Sequence, residues 1–154
     1  MATENRTVAE VEQAVMPRAQ IEEIFARRQD AYDNLDAAAL AEDYADDAVI
    51  ESPISGTHGK AEARQNIDVV FRAFLDITVT TEALVIDGNH VAQIGTIEGT
   101  NIGGLFGLPP SGKPFKVPMV FVFEFRNGKI MHERRVYDFT GLLVQVGVLK
   151  AKPA

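Results

Sequence analysis

The chain contains no cysteine. That excludes disulfides, thiolate zinc sites, cysteine-ligated iron–sulfur clusters and a cysteine nucleophile, and it leaves the redox character of the compartment unreadable. Clusters of lysine and arginine are also missing: 15 basic against 22 acidic residues give a net charge of −7 and a pI near 4.9. Nucleic acid and anionic membrane surfaces call for such clusters, so small or uncharged partners are favoured. No apolar run approaches membrane-spanning length, and the opening residues MATENRTVAEVEQAVM have no apolar h-region. A cytoplasmic protein is expected. None of the three histidines stands at a metal-ligand spacing with another, no nucleophile elbow occurs, and Gly103-Gly104-Leu105-Phe106-Gly107 has the wrong spacing for a phosphate-binding fingerprint. Neither a metal, a cofactor nor a serine nucleophile is assigned.

What is present is ordinary globular material: 154 residues, 46% hydrophobic and 24% charged, enough for one domain with a real core. Residues 1–16 are polar and read as a flexible arm, and 17–154 as a single domain. Pro17 suits the opening of a helix, and Ile21, Ile24, Phe25, Ala31, Tyr32 and Leu35 recur at helical spacing, which predicts an amphipathic helix over about 18–33. Asp36 can cap a second, shorter helix through Tyr44. A short strand, AVIES, ends at Pro53, the turn-rich ISGTHG follows, and a third helix is expected from Lys60 to about Phe74. Strands take over from there, at 76–86 and 90–98. Helices first and a run of antiparallel strands afterwards predict an α+β fold, with about three helices on one face of a curved sheet.

The last two strands are the most specific local signal. In KVPMVFVFEFRNGKIMHERRVYD, Asn127-Gly128 predicts a type I′ hairpin turn, because both central residues need positive φ. Counting back from Arg126 opposite Lys129 places Phe125, Phe123, Phe121, Met119 and Val117 opposite Ile130, His132, Arg134, Val136 and Asp138. One face would then carry large apolar groups together with His132, Arg134 and Asp138, and the other Glu124, Val122 and Val120 with Met131, Glu133 and Arg135. Polar groups on a buried face cost several kcal/mol each unless paired or bordering a wet cavity, so this face predicts either a pocket or a structural ion pair. The loop 99–113, with Ile102, Leu105, Phe106 and Leu108 among its glycines, reads as a rim or lid.

The order of elements and two long strings, YADDAVIESPISGTHGKAEA and GLPPSGKPFKVPMVFVFEFRNGKIMHERRVYDFTGLLVQVG, resemble the nuclear-transport-factor-2-like superfamily, in particular its SnoaL-like polyketide (ester) cyclases. The resemblance implies a cone-shaped antiparallel sheet around three helices, an active site in the open mouth, and a sheet-to-sheet homodimer. It also implies a cofactor-free acid/base role for Asp138, which matches the family's aspartate near the end of the last strand, in an intramolecular aldol closure. A carboxylate in an apolar pocket has its pKa raised and can take and return the proton.

Departures from related subfamilies are definite. Where ketosteroid isomerases carry a catalytic aspartate before the proline this chain has Ser52; Arg28 replaces their oxyanion-hole tyrosine, and Phe121 falls near their oxyanion-hole acid. The Tyr-x-Asn of limonene-epoxide-hydrolase-like members is Ile50-Glu51-Ser52 here, and their Arg-x-Asp is Thr96-Ile97-Glu98.

The expected catalytic set is therefore Asp138, Arg134, His132 and Glu98. The expected substrate-binding set is Phe25, Tyr32, Ser52, Phe106, Met119, Phe121 and Phe123. His58 is placed at the rim and His90 in solvent. The leading reading is a cyclase or isomerase acting on a small apolar oxygenated substrate. An epoxide hydrolase or dehydratase using Asp138 with Arg134, Glu98 or His132, and a non-catalytic ligand-binding module, stand as alternatives.

Overall fold

The computed structural model describes residues 14–150. Residues 1–13 of the expected arm lie outside them. The backbone nitrogen of Met16 donates to Asn89 Oδ1 at 2.8 Å, which docks the start of the described chain on a strand turn.

The elements are α1 (Arg18–Asp33), α2 (Ala37–Glu42), β1 (Tyr44–Ser52), β2 (Gly56–His58), α3 (Lys60–Ala73), β3 (Thr78–Asp87), β4 (His90–Thr100), β5 (Pro114–Arg126), β6 (Lys129–Tyr137) and α4 (Phe139–Gln145). The α+β class is as expected, with a fourth short helix at the end. Asp36 caps α2, its side chain accepting from the Ala39 nitrogen at 3.0 Å. Tyr44 opens β1 instead of closing the helix.

One sheet runs in the order β2-β1-β6-β5-β4-β3. The expectation of an all-antiparallel sheet is corrected at one place: β1 pairs with β6 in parallel, so the sheet is mixed. The helices cover its inner face. Ile21, Ile24 and Phe25 of α1, Leu40 of α2 and Ile67 and Phe71 of α3 are buried against the β5 row Phe121, Phe123 and Phe125. Burying each such side chain stabilises by about 1.5–3 kcal/mol. Phe25 meets Phe123 edge to face, with ring centroids 5.1 Å apart.

The Asn127-Gly128 turn forms as expected, with φ of 51° and 77°, and Arg126 stands opposite Lys129. The register then departs from the count. Phe125 pairs with Ile130, but Glu124 pairs with His132, so Met131 is an extra residue with no partner. This bulge turns every later side chain of β6 to the opposite face. Glu133 lies opposite Phe123, Arg135 opposite Phe121 and Tyr137 opposite Met119, all on the inner face. His132, Arg134 and Val136 face outward.

Candidate functional site

The turn of α1, the length of α3, the inner face of the sheet, the 99–113 loop and α4 enclose a cavity of about 110 Å³. Its walls are mostly apolar: Ile67, Val70 and Phe71 from α3, Val79, Ile97 and Phe115 from the strands, and Leu142 from α4. Leu105 and Phe106 close it from the loop. The loop is held there by its base. Ile102 and Gly103 both donate backbone N–H groups to the Ala73 carbonyl at the end of α3, at 3.2 and 2.9 Å. A Cβ at Gly103 would stand 1.9 Å from the Arg72 carbonyl, so only glycine permits that approach. Phe106 is 57% exposed and rests edge to face on Phe139, which rests on Tyr137.

Polar groups gather at the β1–β6 side. Arg135, Tyr137, Tyr32, Ser52 and Ser55 line the wall there, and Asn66 faces them from α3. Behind the wall is a buried network. Glu133, 0% exposed, accepts from Arg135 Nε at 3.1 Å, from Arg135 Nη2 at 3.3 Å and from the Tyr44 hydroxyl. Arg135 Nη2 also donates to the Tyr44 oxygen at 3.1 Å. Arg28, 3% exposed, lies over the rings of Tyr44 and Phe123 and donates to Asp43 at 3.1 Å and to the Leu40 carbonyl at 3.2 Å. Arg135 lies over the Phe121 ring.

The electrostatics follow from that packing. Burial opposes the Glu133 charge, but Arg135 and Arg28 outweigh it and hold the carboxyl below its ordinary range. Burial likewise opposes the Arg135 charge, and Glu133 and Tyr44 more than restore it. Burial pushes the Tyr32 and Tyr137 phenols upward, against the opposing influence of Arg28 on the first and Arg135 on the second. At neutral pH the wall therefore presents a fixed guanidinium and two neutral phenols. Arg135 spends Nε and Nη2 on Glu133 and Tyr44, whereas Nη1 donates to no acceptor among the described residues.

The expected catalytic residues are placed elsewhere, and the bulge is the reason for two of them. His132 Nε2 and Arg134 Nε meet Glu51 Oε2 on the outer face, at 2.6 and 3.0 Å. Hydrogen bonds from Arg134 and His132 hold the Glu51 carboxyl below its usual range. Glu98 also faces outward, 3.5 Å from Lys116 Nζ. Asp138 is exposed and caps α4, its Oδ1 accepting from the Gly141 nitrogen at 2.8 Å. None of these four lines the cavity.

Of the expected substrate-binding set, Tyr32, Ser52, Phe106 and Phe121 line the cavity, while Phe25, Met119 and Phe123 are packed in the core beneath it. Arg135, Tyr137 and Glu133 were assigned to the wrong face or left out. Their signal was present, since β6 carries ionisable residues in both alternating frames. Among the described residues no group of three or more His, Asp or Glu side chains is arranged to hold a metal.

Several solved structures share this fold across most of the chain. AclR of Streptomyces galilaeus, for which a hydroxylase role has been suggested, matches at 21% identity and a TM-score of 0.78, over 89% of this chain and 87% of its own. A protein of Jannaschia sp. CCS1, suggested to be a SnoaL-like polyketide cyclase, matches at 22% identity and 0.75, over 88% and 94%. IdmH of Streptomyces antibioticus, a suggested polyketide cyclase, matches at 26% identity and 0.67, over 82% and 97%. No curated protein matches. The sequence model of one family matches residues 22–146, a span that runs from α1 through α4 and takes in every wall of the cavity, and by that match the chain belongs to the SnoaL-like polyketide cyclases.

Proposed function

We propose that the protein is a cofactor-independent cyclase or isomerase acting on a small, largely apolar, oxygenated substrate by proton-transfer chemistry of the intramolecular aldol type. The observation that carries this reading is Arg135: a guanidinium fixed by Glu133 and Tyr44, with Nη1 uncommitted among the described residues, in the polar wall of a mostly apolar cavity. A carbonyl oxygen seated on Arg135 gains charge as an enolate or alkoxide forms. Preorganised donors in a dry site are worth roughly 10²–10³-fold each at such an oxygen. The neutral hydroxyls of Tyr32 and Tyr137 are further donors in the same wall. The tight apolar walls fold a flexible substrate so that its reacting carbons meet.

Asp138 has no part in this reading, because it is a solvent-exposed helix cap outside the cavity lining. The hydrolase and dehydratase alternatives lose their support for the same reason, since Arg134, His132 and Glu98 face away from the cavity. A non-catalytic ligand-binding module is favoured by one observation: among the described residues the lining contains no carboxylate and no imidazole. A homodimer through the outer sheet face is also part of the proposal, supported by Val85, Val122 and Val136 standing exposed there.

Aromatic and alicyclic ketones and β-diketones, screened by thermal shift and by chromatography for cyclised or isomerised product, test the reading. Saturable stabilisation with turnover, both lost in Arg135→Met, is expected. Stabilisation without turnover establishes the binding module, and ligands that bind Arg135→Met as tightly as wild type overturn the assignment of Arg135.

A further inference from the structure

Among the described residues the cavity lining holds no carboxylate and no imidazole, but the lining residue Ser55 touches a histidine, His58. β1 and β2 are joined by the turn Pro53-Ile54-Ser55, and Gly56 at φ 67° swings the chain back so that His58 pairs with Ile50. Ile50 is fully buried and also pairs with Glu133 across β1–β6. His58 therefore sits in the inner row that contains Glu133. Its Nδ1 is 3.2 Å from Ser55 Oγ, and Ser55 lines the cavity. Its Nε2 is buried with no partner, the one such side-chain atom among the described residues. The contact to Ser55 is therefore the only side-chain hydrogen bond the ring makes among the described residues.

We propose that Ser55 and His58 form a proton relay in the cavity wall, Ser55 being the group that touches substrate and His58 the positioning residue that stores the proton. The inference rests on the cavity being the substrate site. In the forward step the enol or phenol O–H of the substrate passes its proton to Ser55 Oγ as Ser55 passes its own to His58 Nδ1. The products are an enolate and an imidazolium, with the Ser55 O–H re-formed and donating to the new anion. The enolate carbon then attacks the second carbonyl, one C–C bond forms and one C=O π bond breaks, and the alkoxide recovers the proton through Ser55. No proton, electron or group is gained or lost overall.

The surroundings of the ring suit that duty. Burial and the Arg135 cation lower the His58 pKa, so the resting ring is neutral and free to accept. The Gly56 backbone and the carboxylates of Glu62, on α3, and Glu133, on β6, act the other way and favour the proton once it has arrived. The relay requires one tautomer, with the resting proton on Nε2 and a lone pair at Nδ1.

Long-range ¹H–¹⁵N spectra of the full-length ¹⁵N-labelled protein read that tautomer directly. A resting His58 with Nδ1 protonated overturns the relay. 4-Nitrophenol is the second probe, since its phenolate is coloured. Wild type should bind it with an apparent pKa about one unit below the free value, the worth of one hydrogen bond to an ionised group, and Nδ1 of His58 should become protonated in step with the colour. His58→Gln keeps Ser55 as a donor but removes the store, so it should return most of that shift. A phenol pKa unchanged in His58→Gln but raised in Ser55→Ala makes Ser55 a simple donor and sinks the relay. Failure of wild type to bind 4-nitrophenol counts against the cavity as the substrate site, and the tautomer then decides the relay alone.

Discussion

Glu133→Gln removes one charge and almost no volume from the wall that holds Arg135. Three donors converge on the wild-type carboxylate: Arg135 through Nε and Nη2, and the Tyr44 hydroxyl. The amide keeps one accepting oxygen but turns an NH₂ group toward donors. Arg28 is then left buried with Asp43, and Arg135, whose side chain is 12% exposed, is left with no carboxylate partner among the described residues. Breaking a buried pair by removing one partner costs about 3–5 kcal/mol, because the surviving charge stays desolvated. A chain of this size loses about 2–4 °C per kcal/mol, so the melting temperature should fall by roughly 10 °C. Urea unfolding followed by circular dichroism gives the free energy directly.

The pH dependence has a definite sign. The Glu133 carboxyl is held below its unfolded value, so its contribution is complete above the ordinary carboxylate range and is lost as pH falls through the lower folded value. Glu133→Gln should flatten that acid limb. The double variant with Arg135→Met should recover much of the loss, as coupled neighbours do. A change below about 1 kcal/mol in the single variant, with the acid limb intact, would falsify the claim that this pair is buried and ionised.

Asp138→Ala removes the cap of α4 and should cost about 1 kcal/mol while ligand binding per folded molecule stays at the wild-type level; a lost ligand response in a folded protein would restore Asp138 to the site. Val122→Glu with Val136→Arg places charge in the apolar centre of the outer face, and light scattering at micromolar concentration should show a dimer in wild type and a monomer in the variant. A monomeric wild type would remove the dimer proposal. Phe106→Ala opens the exposed side of the cavity and should speed ligand release with little effect on unfolding, measured by stopped-flow and by urea; unchanged release would mean that the loop is no barrier. EDTA should leave ligand binding unchanged, and restoration of chelated protein by one divalent metal would show a site beyond the described side chains.

Much of the fold was legible from periodicity and turn chemistry. Ile21, Ile24 and Phe25 fixed the buried stripe of α1, Asp36 announced its cap, and Asn127-Gly128 fixed the hairpin turn. β5 was unambiguous as well, since Phe121, Phe123 and Phe125 leave one possible inner face. The loop 99–113 was placed at the cavity by its apolar residues, and Leu105 and Phe106 line it.

The site was decided by β6, where alternation has no preference. His132 and Arg134 in one frame and Glu133 and Arg135 in the other are equally polar, so a count from the turn settles the face only if no residue is skipped. Met131 is skipped. What makes that bulge favourable comes from far along the chain. Tyr44 supplies a buried partner for both Glu133 and Arg135, and Glu51 in the parallel strand β1 supplies the outer partner for His132 and Arg134. Those contacts span more than 80 residues between β1 and β6. Local pattern therefore determined which strands and helices exist, and long-range pairing of buried charge determined which side of the last strand faces the cavity.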